Sequence, residues 1–296
     1  MKIEAKDSLR KIGLQLDRNQ YPRVYNDGIV KSGDSAIVPS TPGEVNDHVK
    51  RQRRPATRSR KWTPGGQGPT NRPWSSGGTT PLISSSLREA YEAELAAVWE
   101  AYPKTAIWPQ AEGLWLRVES SIFHGLGKTA TFLTAIPYSE SQIPRSWGFW
   151  ITPISWEWIG PRHTNFPDGS ICAFDLSDKT WFPGDSIVKL LDLYTLWALR
   201  QEHLNVFGHW PGLQSAPYPY ERLEELSDDE YCGCNKSGRR YKDCCKKNDQ
   251  SYTKLKVFLD FIKFTRGSLH RYPPEEVLNF LNHSAAEPSI TSFFDI

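Results

Sequence analysis

The chain has 296 residues, room for one or two domains, and its 36 basic and 34 acidic side chains leave a formal charge of only +2, so bulk charge does not argue for a nucleic-acid partner. No apolar run approaches a membrane span and the N-terminus carries no signal-peptide pattern, so no membrane association is expected. Five cysteines, an odd number with four of them clustered, argue against a secreted disulfide framework and for the reducing cytoplasm.

Residues 1–80 read as an N-terminal extension. Ser8 to Leu16 is compatible with a short helix. Residues 39–80 hold six Pro, six Gly and few apolar side chains, a composition that cannot offset the entropy of ordering, so a flexible linker is expected. Between Lys50 and Arg72 stand eight Lys or Arg and no acid. The plain reading of that run is a solvated tail; the alternative is a contact with nucleic acid or an acidic partner.

The folded core is expected over residues 81–213. Ser86 and Glu89 have capping-box spacing, Leu87, Tyr91, Leu95, Val98 and Tyr102 recur at helical spacing, and Pro103 ends the helix. Strands are expected at Leu114 to Glu119, at Thr129 to Ile136 as its hairpin partner, and at Trp147 to Ile154. Gly125-Leu126-Gly127-Lys128-Thr129 imitates the end of a phosphate-binding loop. The first Gly of that motif would fall at Ile122, and strands flank the segment on both sides, so a hairpin turn is the better reading.

Pro161 to Cys172 comes next, with His163, Asn165 and a lone Cys172 in one loop-like stretch, folded back at the turn signal Asp168-Gly169. A thiol beside a polar amide can form a thioester and have its oxyanion stabilised. The plain alternative for Cys172 is a small buried hydrophobe. Trp181-Phe182-Pro183-Gly184-Asp185 follows, and then a helix from Ser186 to about His203, apolar nearly all round and so expected to be buried behind the Cys loop.

At these residues the chain resembles the ubiquitin-conjugating enzymes, in the divergent form found in bacterial operons. His163-Thr164-Asn165, Gly169-Ser170-Ile171-Cys172 and Trp181-Phe182-Pro183 carry the resemblance, which covers roughly residues 84–213. Thr164 stands where that family usually has Pro, and the Asn-to-Cys spacing is about one residue shorter than in its eukaryotic members. The resemblance implies an α+β fold: N-terminal helix, antiparallel sheet, Cys loop, buried helix. It implies Cys172 as the nucleophile, Asn165 as oxyanion and loop support, and His163 as a structural hydrogen-bonding residue rather than a base. It implies an activating enzyme and a ubiquitin-like modifier or modified target as partners, in operons of the kind found in antiphage defence. Asp175, Asp178 and Asp185 are candidates to assist an attacking lysine. Two other classes stay open: a non-catalytic scaffold of the same fold, and a nucleic-acid-binding zinc protein. A cysteine protease would need His163 as base.

Residues 228–248 carry Cys232-Gly233-Cys234 and Cys244-Cys245, four thiolates able to close a tetrahedral structural zinc site. Adjacent cysteines make poor disulfide partners, which favours a metal. The segment resembles the SEC-C motif, a small zinc module, with Ser237 to Lys242 matching its middle and Lys236 as an apparent insert. Arg239, Arg240, Lys242, Lys246 and Lys247 are candidates to face an acidic partner. Residues 249–296 read as helical, with one helix over Lys254 to Thr265 (Leu255, Phe258, Phe261 and Ile262 on one face) and a shorter one from Pro274 with Val277, Leu278 and Leu281. The chain ends at Ile296, not in Gly-Gly, so it is not expected to be a ubiquitin-like donor itself.

Overall fold

The computed structural model describes residues 83–123, 126–152, 155–174, 180–234, 238–265, 267–268 and 271–282, together with 6–7, 9–11 and the backbone of 23–24 and 30–31. The basic run Lys50 to Arg72, Asp175, Asp178 and Lys236 lie outside them. Residues 6–7 and 9–11 are helical and Leu9 is buried; the rest of the helix expected over Ser8 to Leu16 lies outside the described residues.

The first long helix, α1 (Ser85–Ala101), buries Leu87, Tyr91 and Val98 at the predicted spacing. Its cap is not the expected one. Ser84, in extended backbone (φ −93, ψ 110), accepts from Leu87 N at 3.4 Å, and its own N–H donates to Tyr138 O at 2.7 Å. That tie to the sheet fixes where the helix starts and leaves Ser86 and Glu89 inside the helix, past its cap. A cap is worth about 1 kcal/mol and each fully buried large apolar side chain about 1.5–3 kcal/mol, so packing rather than capping holds α1.

Five strands follow as an antiparallel meander: β1 (Thr105–Pro109), β2 (Gly113–Glu119), β3 (Ala130–Pro137), β4 (Arg145–Ile151) and β5 (Trp156–Trp158), in that spatial order. The fold is therefore α+β with a five-stranded antiparallel sheet. The three central strands match the expected segments within a few residues, while β1 and β5 have no counterpart among the expectations. Both are edge strands. β1 follows Pro103 directly and ends in Pro109, which an edge tolerates because its N–H side need not pair.

The alternation in β2 divides the core in two. Leu114, Leu116 and Val118 join Phe132, Ile136 and Trp150 on the face covered by α1 and by α2 (Ile187–Phe207). Trp115 joins Leu133, Ala135, Trp147 and Phe149 on the other face, which α6 (Glu275–Asn282) covers with Val277 and Phe280. Because both faces are covered, β3 is buried at all eight positions. The β2–β3 connection turns at Gly127 (φ 64), with Phe123 N donating to Lys128 O at 3.0 Å, so the phosphate-loop imitation sits between two strands.

Helix α2 runs one turn beyond the expected end near His203. It stops at Gly208, whose left-handed backbone (φ 73) allows its N–H to reach Leu204 O at 2.7 Å. Its N-cap Ser186 makes no side-chain cap bond; instead Glu94 of α1 accepts from Ile187 N at 2.7 Å. Beyond it come α3 (Pro219–Glu225), a 3₁₀ turn (Tyr241–Asp243), α4 (Lys246–Ser251) and α5 (Lys254–Phe264), which form the cysteine-bearing module and its support. Among the described residues no helix is long and apolar enough to cross a membrane.

Candidate functional site

Two cysteine sites stand out, and the first is the loop from Gly160 to Cys172. Both its X-Pro bonds, Gly160-Pro161 and Phe166-Pro167, are cis. The loop is pinned to the sheet by Ile159 N to Gly148 O (2.9 Å) and Ile171 N to Ser146 O (2.7 Å). Thr164 and Ile171 pair as an isolated antiparallel bridge, which brings the His-Thr-Asn and Ile-Cys segments side by side. Cys172 N donates to His163 O at 2.9 Å, and Asn165 N to Ser170 O at 2.7 Å. Thr164 is buried and donates its hydroxyl to Pro161 O, a bond the Pro usual at this place in the resembled family could not make.

The turn at Asp168-Gly169 is built more firmly than its sequence suggests. The buried Asp168 carboxylate accepts from Ser170 N (3.1 Å), Ser170 Oγ (2.9 Å) and the Arg145 guanidinium, while Trp147 Nε1 donates to Asp168 O at 2.8 Å. Gly169 has φ 64, and a Cβ there would lie 2.8 Å from the Tyr272 carbonyl carbon. Only Gly fits both the backbone conformation and the approach.

Cys172 is exposed at the end of this braced segment. Asn165 is near in the loop, but its amide is turned inward, donating to Ser170 Oγ (3.1 Å) and to Ile171 O (3.3 Å). Both amide hydrogens are engaged, so in this conformation Asn165 supports the loop and offers no donor to an oxyanion. His163 has the left-handed backbone value φ 52 and packs on Trp210 with ring centroids 4.3 Å apart. Burial, and secondly the Arg162 charge, lower its pKa to about 3, so the imidazole is neutral at physiological pH.

Its tautomer follows from its neighbours. Gln214 Nε2 donates to Tyr231 O (2.7 Å), and Gln214 Oε1 accepts from Arg162 NH2 (2.9 Å). His163 Nε2, 3.0 Å from the same Oε1, must therefore carry the proton. The imidazole nitrogen facing Gln214 is a donor, and no base is available there for Cys172.

Helix α2 backs the loop through Trp197 Nε1, which donates to His163 O at 3.0 Å, and through Gln201, which donates to Arg162 O. One turn before Trp197, Tyr194 is fully buried with no hydrogen-bond partner for its hydroxyl; burial, and secondly the nearby Cys172, push its pKa far up. Trp181 is buried with Nε1 on Ser186 O (2.9 Å), whereas its neighbour Phe182 is exposed. Asp185 accepts from Phe182 N at 3.0 Å and so closes the turn before α2.

The second site is the four-cysteine cluster. The Sγ atoms of Cys232, Cys234, Cys244 and Cys245 all lie within 4.8 Å of one another. Cys234 and Cys244 are 3.5 Å apart and Cys244 and Cys245 3.8 Å. A disulfide needs about 2.05 Å. A tetrahedral ion with bonds of about 2.3 Å sets its ligands about 3.8 Å apart. The donor set fits a metal ion and its spacing is compatible with zinc. Burial, and secondly the Cys234 hydrogen bond, raise the Cys232 thiol to about 11; burial likewise raises Cys245. Thiolates packed this way are costly until a divalent cation offsets their charge.

The module is anchored by a buried ion pair. Arg222 of α3 grips Asp249 of α4 with two bonds, Nε to Oδ2 (2.8 Å) and NH2 to Oδ1 (2.7 Å), while NH1 donates to Ala216 O (2.9 Å) and Pro217 O (2.6 Å). Of the basic residues expected to face an acidic partner, Lys242 pairs with Asp229, Lys246 with Asp228, Arg239 donates to Asp243 O, and Arg240 lies 4.1 Å over the Tyr231 ring and donates to Asp229 O (2.8 Å). Of the five, Lys242 and Lys246 are paired with acids of the same module.

No local pattern marks Arg145, Arg162, Gln214 or Glu230 as site residues. Their bonds to Asp168, His163 and one another span 23 to 68 positions, beyond the reach of any local pattern. The chain matches no family model, no curated protein and no solved structure.

Proposed function

We propose that the chain is a conjugating-enzyme-like acyl carrier, and the observation that carries this reading is the exposed Cys172 at the end of a loop braced on two sides. The Cys172 thiolate attacks the activated C-terminal carbonyl of a ubiquitin-like modifier held by an activating enzyme. The bond to the activating enzyme's leaving group breaks, and a thioester forms. An amine of the target, a lysine, then attacks the same carbonyl; the thiolate leaves, a proton is lost from nitrogen, and an amide results. Helix, antiparallel meander, Cys loop and backing helix come in the order that the resembled family implies. His163, tied to Gln214 and with its pKa lowered to about 3, is a weak base for the Cys172 thiol and acts as loop support, which disfavours a cysteine protease. Asn165 serves first as loop support, and its amide must turn out of the loop before it can meet an oxyanion.

The four-cysteine site is read as structural zinc. With four protein ligands its coordination shell is closed, and no position is left for a substrate. A reducing compartment, the cytoplasm, is part of this reading, because four of the five cysteines sit together as a metal-ligand set.

The test mixes the purified chain with activating enzyme, modifier and ATP from the neighbouring operon genes and runs a non-reducing gel. A band at the summed mass that disappears with thiol reductant is expected. Cys172→Ser should give a reductant-resistant ester band instead. Activity in the host pathway that survives Cys172→Ala would overturn the carrier reading and favour a non-catalytic scaffold.

A further inference from the structure

The two cysteine sites are joined by a short run of half-buried hydrogen bonds. Tyr231, next to the ligand Cys232, accepts at its main-chain oxygen from Gln214 Nε2 (2.7 Å). Gln214 Oε1 accepts from His163 Nε2 (3.0 Å) and Arg162 NH2 (2.9 Å). His163 O, in turn, holds Cys172 N at 2.9 Å. Gln214 thus bonds with its donor end to the knuckle, residues 231–234, and with its acceptor end to the Cys172 loop.

A second strand of contacts runs beside the first. Arg162 places two bonds on Glu230, NH1 to Oε1 (2.9 Å) and NH2 to Oε2 (2.5 Å). Glu230 also accepts from Ser227 N (3.1 Å) and from Trp210 N. Both charges are buried, so this pair holds the base of the knuckle against the loop. The knuckle itself has little freedom of its own. Gly233 (φ 70) accepts from Ala216 N at 2.8 Å, and a Cβ on it would lie 2.5 Å from that nitrogen.

We infer that Gln214 is a positioning residue that couples the metal site to the Cys172 loop, so that metal occupancy sets how firmly the loop holds its thiol. Metal would add a restraint common to all four sulfurs; without it the segment 231–234 relies on its main-chain bonds to Ala216 and Arg239, and Tyr231 O is held less firmly. Gln214 then loses its donor contact, and the His163 and Arg162 ends of the loop lose a fixed acceptor. Coupling of this kind is reciprocal: whatever metal does to the loop, loosening the loop must do to metal affinity by the same factor. Its use rests on the acyl-carrier reading, because a loosened loop then means a mispositioned nucleophile.

Gln214→Glu separates the two ends. A glutamate keeps the acceptor for Arg162 and His163 but has no hydrogen for Tyr231 O. The experiment uses the full-length chain, loaded with zinc or stripped by chelator, and reads amide hydrogen exchange in peptides covering residues 163–172, with residues 113–119 and 130–137 of the sheet as reference. In the parent protein, zinc removal should speed exchange in the loop at least about fivefold, the lower end of typical coupling, with the sheet unchanged. Zinc-loaded Gln214→Glu should already show most of that increase, and its zinc affinity, read by competition with a chromophoric chelator, should fall by the same factor. Where zinc removal melts the sheet as well, the zinc-loaded variant decides. Loop exchange and zinc affinity both unchanged in the loaded variant would overturn the inference, as would an undiminished zinc effect on its loop. No readout involves modifier or thioester, so failure of the carrier reading and failure of this coupling are told apart.

Discussion

The loop around Cys172 and the knuckle around Cys232 use the same side chain for opposite ends. Cys172 is exposed, and its backbone N–H is held by His163 O. The four module cysteines point their sulfurs at one another, and burial raises two of the thiols. A cysteine kept for reaction needs its backbone fixed and its sulfur accessible. A cysteine kept for structure needs its sulfur engaged, and the backbone follows.

The largest expected effect breaks this symmetry directly. Cys172→Ala should abolish any reductant-sensitive adduct while shifting the melting temperature by no more than about 2 °C, since exposed substitutions away from structural contacts usually stay within about 0.5 kcal/mol. Cys245→Ser, or zinc removal by chelator, should do the reverse: a melting transition lost or lowered by many degrees, because the binding free energy of a structural zinc is largely folding free energy. Differential scanning calorimetry beside the gel assay checks both. Equal melting losses in the two variants would remove the distinction.

Next in size is the ion pair under the knuckle. Arg222→Ala leaves Asp249, fully buried, without its partner, a change that typically costs about 3–5 kcal/mol. Urea unfolding should show it. The loop's own weak point is Gly169, where alanine would meet both a left-handed backbone and the Tyr272 main chain; about 1–3 kcal/mol of destabilisation is expected, together with faster hydrogen exchange at Ser170 and Ile171.

The smallest effect concerns pH and separates the two regions again. His163 has its folded pKa depressed to about 3, below the 6.5 of the unfolded chain. As pH falls below 6.5 the unfolded chain takes up the proton first, so this contribution is complete above 6.5 and is lost progressively toward 3. Glu221 of α3 acts in the other direction. Burial, and secondly the Glu225 charge, raise it to about 7 from 4.5, so the fold binds its proton more tightly and that contribution is lost as pH rises from 4.5 to 7. The two oppose each other between 4.5 and 6.5. His163→Asn, which tolerates the left-handed backbone, should flatten the acid side of the stability profile, and Glu221→Gln the neutral side; chemical denaturation at stepped pH reads both.

Much of the scaffold is visible in the residues alone. Leu87, Tyr91 and Val98 mark α1 and the alternation in Leu114 to Val118 marks β2, because these patterns express which face is buried; Lys254 to Thr265 marks the extent of α5 within one residue but not its face, since Leu255 is exposed and Val257 is buried beside Phe261. β1 and β5 are not legible: Thr105–Pro109 follows a proline too closely to read as a strand, and Trp156–Trp158 is three residues long. The candidate site divides the same way. Cys172, Asn165, His163 and the four clustered cysteines are identifiable as residues with chemistry close together in sequence.

What the sequence determined by itself is therefore the inventory: an α+β chain, one isolated cysteine after a His-Thr-Asn turn, and four cysteines at ligand spacing. Tertiary structure decided what each group is free to do. It turned the Asn165 amide into the loop, put the His163 proton on Nε2, left residue Cys172 exposed, and joined the two cysteine sites through Gln214. The physical reason is range. Periodicity and spacing act over a few residues, whereas the direction of a hydrogen bond or the burial of a charge depends on partners that only the folded chain brings together.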